Sequence, residues 1–344
     1  MLNESRALSL PYPSIRVGMD NETISKIAFY HETSRYLAVF MIPIYIFGIG
    51  SNILSINTIY KCRRFHTPSY ILSVNMATSD IMLLSNAILF GITNSIWLFS
   101  QESGTTFRYQ KILCKINLFM LSASYTTSSQ SLMAISIDRY FTIVHLKSRS
   151  PFTSRRFLII TIILTWVIGF TVASPFIVIT NNNEKIPFMC DLIYDDRPFM
   201  QIYLLVTVVI GYPIPLVVVA TLYYKIIRRV KSSIMANKNS VTVIHHSSHR
   251  QINATKIMFI ATFLFMSNSI PFAIVWVTIA VIGKSYVEFL LSLSRLMFIL
   301  ISFAFGLGIM NALQNPIISL VFNQTFRRAV VENLRKDFSL CSAR

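Results

Sequence analysis

Seven stretches of the chain are apolar over lengths that cross a bilayer as helices, at about residues 37–60, 69–98, 112–137, 157–180, 200–224, 253–282 and 289–321. A hydrocarbon core about 30 Å thick takes about 20 helical residues, and without water there a spanning segment must satisfy its own backbone hydrogen bonds. The pattern predicts an all-α integral membrane protein, a seven-transmembrane helix bundle. The third stretch is its expected hub. From Ile116 to Ile137 it carries no charged side chain over 22 residues, with Cys114 near one mouth and Asp138-Arg139-Tyr140 at the other. There Arg139 can be partly neutralised by its neighbour and still turn to another partner. Composition agrees: 53% of the 344 residues are hydrophobic and 13% charged, far from the habit of soluble domains.

The formal charge of +17 would suit a nucleic-acid binder, but its placement argues otherwise. Segments after the odd-numbered spans hold 20 Lys and Arg against 3 Asp and Glu, whereas the opposite side holds 11 against 10. Short loops rich in Lys and Arg stay cytoplasmic. This puts the carboxyl terminus inside, the amino terminus outside, and the chain in the plasma membrane with no nucleic-acid partner. Three regions are expected: an extracellular glycosylated segment 1–36, a seven-transmembrane domain 37–322, and a cytoplasmic amphipathic helix and tail 323–344. Asn3 and Asn21 open glycosylation sequons in the outer segment. No cleaved signal peptide is expected, since no charged and then apolar leader with a cleavage site opens the chain.

Topology also sorts the four cysteines. Cys114 and Cys190 share the oxidising side and are expected to form a bridge, contributing about 4–5 kcal/mol by the chain-entropy estimate. Cys62 and Cys341 face the reducing side. Cys341 follows a basic amphipathic segment and either carries a palmitoyl chain or stays an idle thiol.

Asp80 is the one acid deep within a span, where charge costs about 2.5–3.5 kcal/mol on insertion scales. Ser128, Asn311 and Asn315 lie at compatible depths. Together they can supply oxygens to a small hard cation such as sodium. A protonated, hydrogen-bonded Asp80 is the alternative. No other metal or cofactor is expected.

Over nearly its whole length the chain resembles a rhodopsin-class (class A) G-protein-coupled receptor. Gly48 to Asn52 is similar to the family's first-helix motif, Met76 to Asp80 to its second, and Asp138-Arg139-Tyr140 to its arginine switch. Cys114 stands 25 residues before Arg139, as in the family. Trp166 and Pro175, Pro215 and Tyr223, Phe265 and Pro271, and Asn315-Pro316 match the fourth to seventh helices, and Phe326 the short cytoplasmic helix. The resemblance implies no enzyme activity. It implies that an outer ligand favours outward movement of the sixth helix, with Arg139, Tyr140 and Tyr223 receiving a heterotrimeric G protein, arrestin as a further partner, and membrane lipids around the bundle.

Departures matter as much. Ser269 stands where the family's sixth-helix tryptophan is usual, and Ser319 replaces the tyrosine of the seventh-helix motif. Gln251 occupies the place of an acid that restrains the arginine. Leu121 replaces the acid of amine receptors, and no lysine lies between Ser292 and Phe322 to hold retinal. The implied ligand cavity consists of Phe90, Leu121, Tyr125, Phe272, Trp276 and Phe305, under a second outer loop whose acids include Asp191. A peptide with a basic residue is the expected ligand, and a lipid or other non-amine small molecule the alternative. A secondary transporter would show internal repeats, and an intramembrane hydrolase a nucleophile with a base or metal cluster. Neither pattern is found.

Overall fold

A computed structural model describes residues 20–96, 104–144, 150–183, 189–192, 197–236 and 244–335. Among these, six helices are long and apolar enough to cross a membrane, running within Asn21–Lys61, Pro68–Thr93, Arg155–Ile179, Pro198–Arg229, Phe259–Ile282 and Arg295–Phe322. The seventh member of the bundle is Gly104–Val144, the third span in chain order. It falls outside that set because its middle is rich in Ser and Thr, and the packing shows why this is tolerated. Asn117, Ser124, Thr126, Thr127, Ser128, Ser129, Gln130, Ser131 and Ser136 are all buried. They face protein rather than lipid, the arrangement in which polar residues within a membrane are tolerated.

Neighbouring spans approach this hub through small and polar residues. A Cβ at Gly169 would meet Thr127 Oγ1 and lie 2.9 Å from the Ala123 carbonyl, so only glycine lets the fourth span lie this close. Asn75 of the second span donates to Ser131 Oγ at 2.8 Å and Thr165 Oγ1 at 3.1 Å, and accepts from Trp166 Nε1 at 2.8 Å. This one amide ties together three spans. Asn52 makes an equivalent tie, donating to the Ala312 carbonyl of the seventh span at 2.9 Å.

Several boundaries differ from those expected. The first helix starts at Asn21, because Asp20 caps it by accepting from Thr23 N at 3.0 Å and Thr23 Oγ1 at 2.6 Å. Its 41 residues run about 60 Å, twice the hydrocarbon thickness, so its first turns stand above the membrane. The fifth span comprises two helices, Arg197–Gly211 and Pro213–Ala236. The seventh starts at Arg295, preceded by a separate short helix, Tyr286–Ser292. The amphipathic helix follows as Gln324–Arg335, with Phe326, Ala329 and Val330 buried against Ile59, Cys62 and Phe65.

Between the fourth and fifth spans lies an antiparallel pair, β1 (Thr180–Asn182) and β2 (Cys190–Leu192). The expected bridge joins Cys190 to Cys114 at the head of the third span. Cys62 is 1% exposed, packed in the cluster with Phe65 and Phe326 of the amphipathic helix. Cys341 and Asn3 lie outside the described residues, while Asn21 is exposed at the start of the first helix.

Candidate ligand cavity and signalling face

A cavity of about 40 Å³ lies between the outer halves of the third, fifth and sixth spans. Four of the anticipated residues line it: Leu121, Tyr125, Phe272 and Trp276. Phe305 sits behind that lining, its ring 5.2 Å from Phe272 and 6.1 Å from Trp276. Phe90 is 38% exposed and stands outside the lining altogether. Also in the wall, and missed from sequence, are Leu118, Ser122, Thr126, Thr207 and Tyr212. The signal was present in helical spacing, since Leu118, Leu121, Ser122 and Tyr125 recur at three and four residues along one face. Among the described residues the buried Ser122 Oγ has no hydrogen-bond partner. No charged side chain is among the described residues of the wall.

Asp191 does not reach this cavity. Its Oδ1 accepts from Leu192 N at 2.9 Å and Val287 N at 3.1 Å, and its Oδ2 from Asn183 Nδ2 at 2.7 Å. The carboxylate is 7% exposed and pins the second outer loop to the short helix Tyr286–Ser292. An acid read as a ligand contact is thus engaged in joining two loops, its oxygens occupied by nearby amides. Burial, and next the negative charge of Asp191, raise the pKa of Tyr286 above the ordinary tyrosine range.

Beneath the cavity, an aromatic series leads inward. Tyr125 lies 5.3 Å from Phe272 and stacks at 6.0 Å on Phe265, which is buried to 2%. At this depth Asp80 is 1% exposed, accepting from Ser128 Oγ at 2.7 Å and Asn315 Nδ2 at 3.3 Å. Asn311 turns elsewhere, donating to Ser269 Oγ at 2.8 Å and the Phe265 carbonyl at 3.4 Å, while accepting from Gln314 Nε2 at 2.6 Å. The structure thus gathers three of the four residues proposed for an ion, and ties the fourth to the sixth span. The physical reason lies in Ser269, whose small side chain leaves a hydroxyl where a bulky ring would block that approach.

Residues 51–318 match the family described as 7 transmembrane receptor (rhodopsin family). The chain belongs to that family. Among its relatives, atypical chemokine receptor 3 of Rattus norvegicus is 24% identical over 299 residues, covering 83% of this chain and 76% of that protein. The QRFP-like peptide receptor of Branchiostoma floridae is 22% identical over 307 residues, covering 86% and 77%. Cholecystokinin receptor type A of Mus musculus is 23% identical over 221 residues, covering 61% and 49%. Members of such a family are signalling receptors and not enzymes.

At the inner face of this receptor, Asp138 is buried and accepts from Ser69 Oγ and, at 2.7 Å, from Ser150 Oγ. Serines of the second span and second inner loop thus hold the acid of the arginine motif. Tyr223 is 3% exposed, its Oη accepting from Thr262 Oγ1 at 3.4 Å, and it clusters with Tyr140. Lys225 Nζ lies 5.8 Å from the Tyr140 ring centroid. Pro271 and Pro316 sit inside their helices, where each removes a backbone hydrogen bond. Gln251 lies on the sixth-span helix, with its side chain outside the described residues.

Proposed function

We propose that this receptor converts binding of an extracellular peptide into activation of a heterotrimeric G protein at the plasma membrane. The observation that carries the proposal is the placement of the outer cavity above Tyr125 and Phe265, with Arg139 and Tyr223 at the opposite end of the same bundle. The peptide-receptor relatives support the ligand class. Outward movement of the sixth span, hinged near Pro271, would open the inner cleft to the G protein and afterwards to arrestin. Such a switch needs a ligand with about 5.5 kcal/mol of differential affinity to carry the population from 1% to 99%. Asp80, Ser128 and Asn315 are proposed to hold a sodium ion that favours the closed state, with Asn311 joining them once it leaves Ser269. The positive-inside bias supports an outer amino terminus. The test is a screen of peptide and lipid libraries with a promiscuous G-protein reporter in cells expressing the full chain. A peptide hit abolished by Tyr125→Ala would support this reading.

One observation favours a second reading, a receptor for a lipid or neutral small molecule. The wall is uncharged and Asp191 is already engaged, so a buried cation would find no counter-charge and would cost several kcal/mol. Activation by neutral lipids alone in the same screen would decide for it.

A further inference from the structure

The turns of the first helix above the membrane are packed rather than free. Ile24, Ile27 and Tyr30, on one face at three-residue spacing, are 8%, 1% and 2% exposed. Tyr30 stacks on Phe298 with centroids 4.0 Å apart and planes 13° from parallel, and its Oη donates to the Leu290 and Leu293 carbonyls, each at 3.1 Å. Alongside, Arg295 donates to Ser25 Oγ at 2.8 Å and lies 5.3 Å from the Phe29 ring centroid. The short helix Tyr286–Ser292 is therefore held at both ends. Asp191 of the second outer loop takes the Val287 N–H at its start, and Tyr30 of the first helix binds carbonyls at its finish. Tyr30, Leu192 and Leu290 belong to the same continuous apolar cluster as Phe176, Leu204 and Trp276, which wall the cavity.

We infer that the outer turns of the first helix form a strap across the third outer loop, closing the mouth of the cavity, with Tyr30 and Asp191 as its two fasteners. A ligand enters when either fastener lets go. Both work through hydrogen bonds whose individual net worth is modest, so the strap opens transiently without unfolding the bundle. The inference rests on the reading of the cavity as the ligand site, but its test requires neither ligand nor G protein.

The full-length receptor carrying Ser122→Cys is treated on intact cells with a membrane-impermeant methanethiosulfonate. Labelling is normalised to surface expression and to a Tyr36→Cys control, since Tyr36 is 60% exposed outside the strap contacts. Labelling of Ser122→Cys is expected to be slow, and Tyr30→Phe, which keeps the ring stack, to speed it about fivefold, the weight of one hydrogen bond. Asp191→Asn should do the same from the other end, and Tyr30→Ala should exceed both. Where Tyr30→Ala fails to reach the surface, Ser25→Ala replaces it. Rates in the parent equal to the exposed control, or rates unmoved by Tyr30→Phe and Asp191→Asn, would overturn the strap.

Discussion

The amide of Asn311 donates to the hydroxyl of Ser269 across 2.8 Å, joining the seventh span to the sixth two residues before its proline. Ser269 is fully buried and passes the chain on, its own hydroxyl donating to the Phe265 carbonyl at 2.7 Å. Replacing Ser269 by Ala leaves the buried Asn311 Nδ2 with the Phe265 carbonyl at 3.4 Å as its one acceptor among the described residues. The expected loss is about 1–3 kcal/mol, read as a lower melting temperature of the purified receptor. A melting temperature at or above that of the parent would show that the bond is not structural.

The Asp80 carboxylate is engaged at both oxygens, by Ser128 and Asn315, with no second acid beside it among the described residues. If sodium binds there, it stabilises the folded receptor by mass action, whereas a larger monovalent cation does not. Replacing potassium with sodium should raise the melting temperature of the unliganded parent, and Asp80→Asn should abolish the difference. A sodium effect that survives Asp80→Asn places the ion elsewhere.

Burial first, and the Arg35 charge second, hold the His31 pKa below its ordinary value, with Glu32 opposing. A histidine so depressed takes up its proton more readily when the strap is undone. Strap stability is therefore intact above about pH 6.5 and declines as pH falls through the folded value. The labelling of Ser122→Cys should be faster at pH 5.5 than at pH 7.5, relative to the Tyr36→Cys control. His31→Gln should flatten that difference.

At Gln251 the sequence has a neutral amide where the family resemblance implies an acid that restrains Arg139, and a neutral bond is about half as strong as a charge-assisted one. A latch weaker by about 1.4 kcal/mol raises the active fraction about tenfold. Gln251→Glu is expected to lower ligand-independent signalling at matched surface expression. A basal signal equal to mock-transfected cells and unmoved by the substitution would count against a weak latch.

Much of the bundle was legible because the bilayer imposes a length and a polarity that any spanning helix must show. Even the hub could be read, from a charge-free run with Cys114 at one mouth and Asp138-Arg139-Tyr140 at the other. The outer turns of the first helix were not legible, since hydropathy drops before residue 37 and nothing local reveals that Tyr30 finds carbonyls 260 residues away. The bonds of Asp191 are hidden for a related reason: a loop acid looks the same in sequence whether it faces a ligand or accepts from nearby amides. Depth alone groups Asn311 with Asp80, but depth does not fix the direction of a side chain, and that direction follows Ser269.

A third span this polar also bears on how the protein is made. Isolated in lipid, the hydroxyls and amides from Asn117 to Ser136 would be costly to desolvate, and several acquire partners on other spans. Asn86 Nδ2 of the second span donates to Asn117 Oδ1 at 3.3 Å, Asn75 donates to Ser131 Oγ, and Gln130 donates to the Ile210 carbonyl of the fifth at 3.1 Å. Nascent chains ending just after Tyr140 would thus commit this helix to the bilayer only alongside its predecessor. On this ground the second and third spans would enter as a pair, with the Ile210 acceptor supplied only after the fifth has been synthesised.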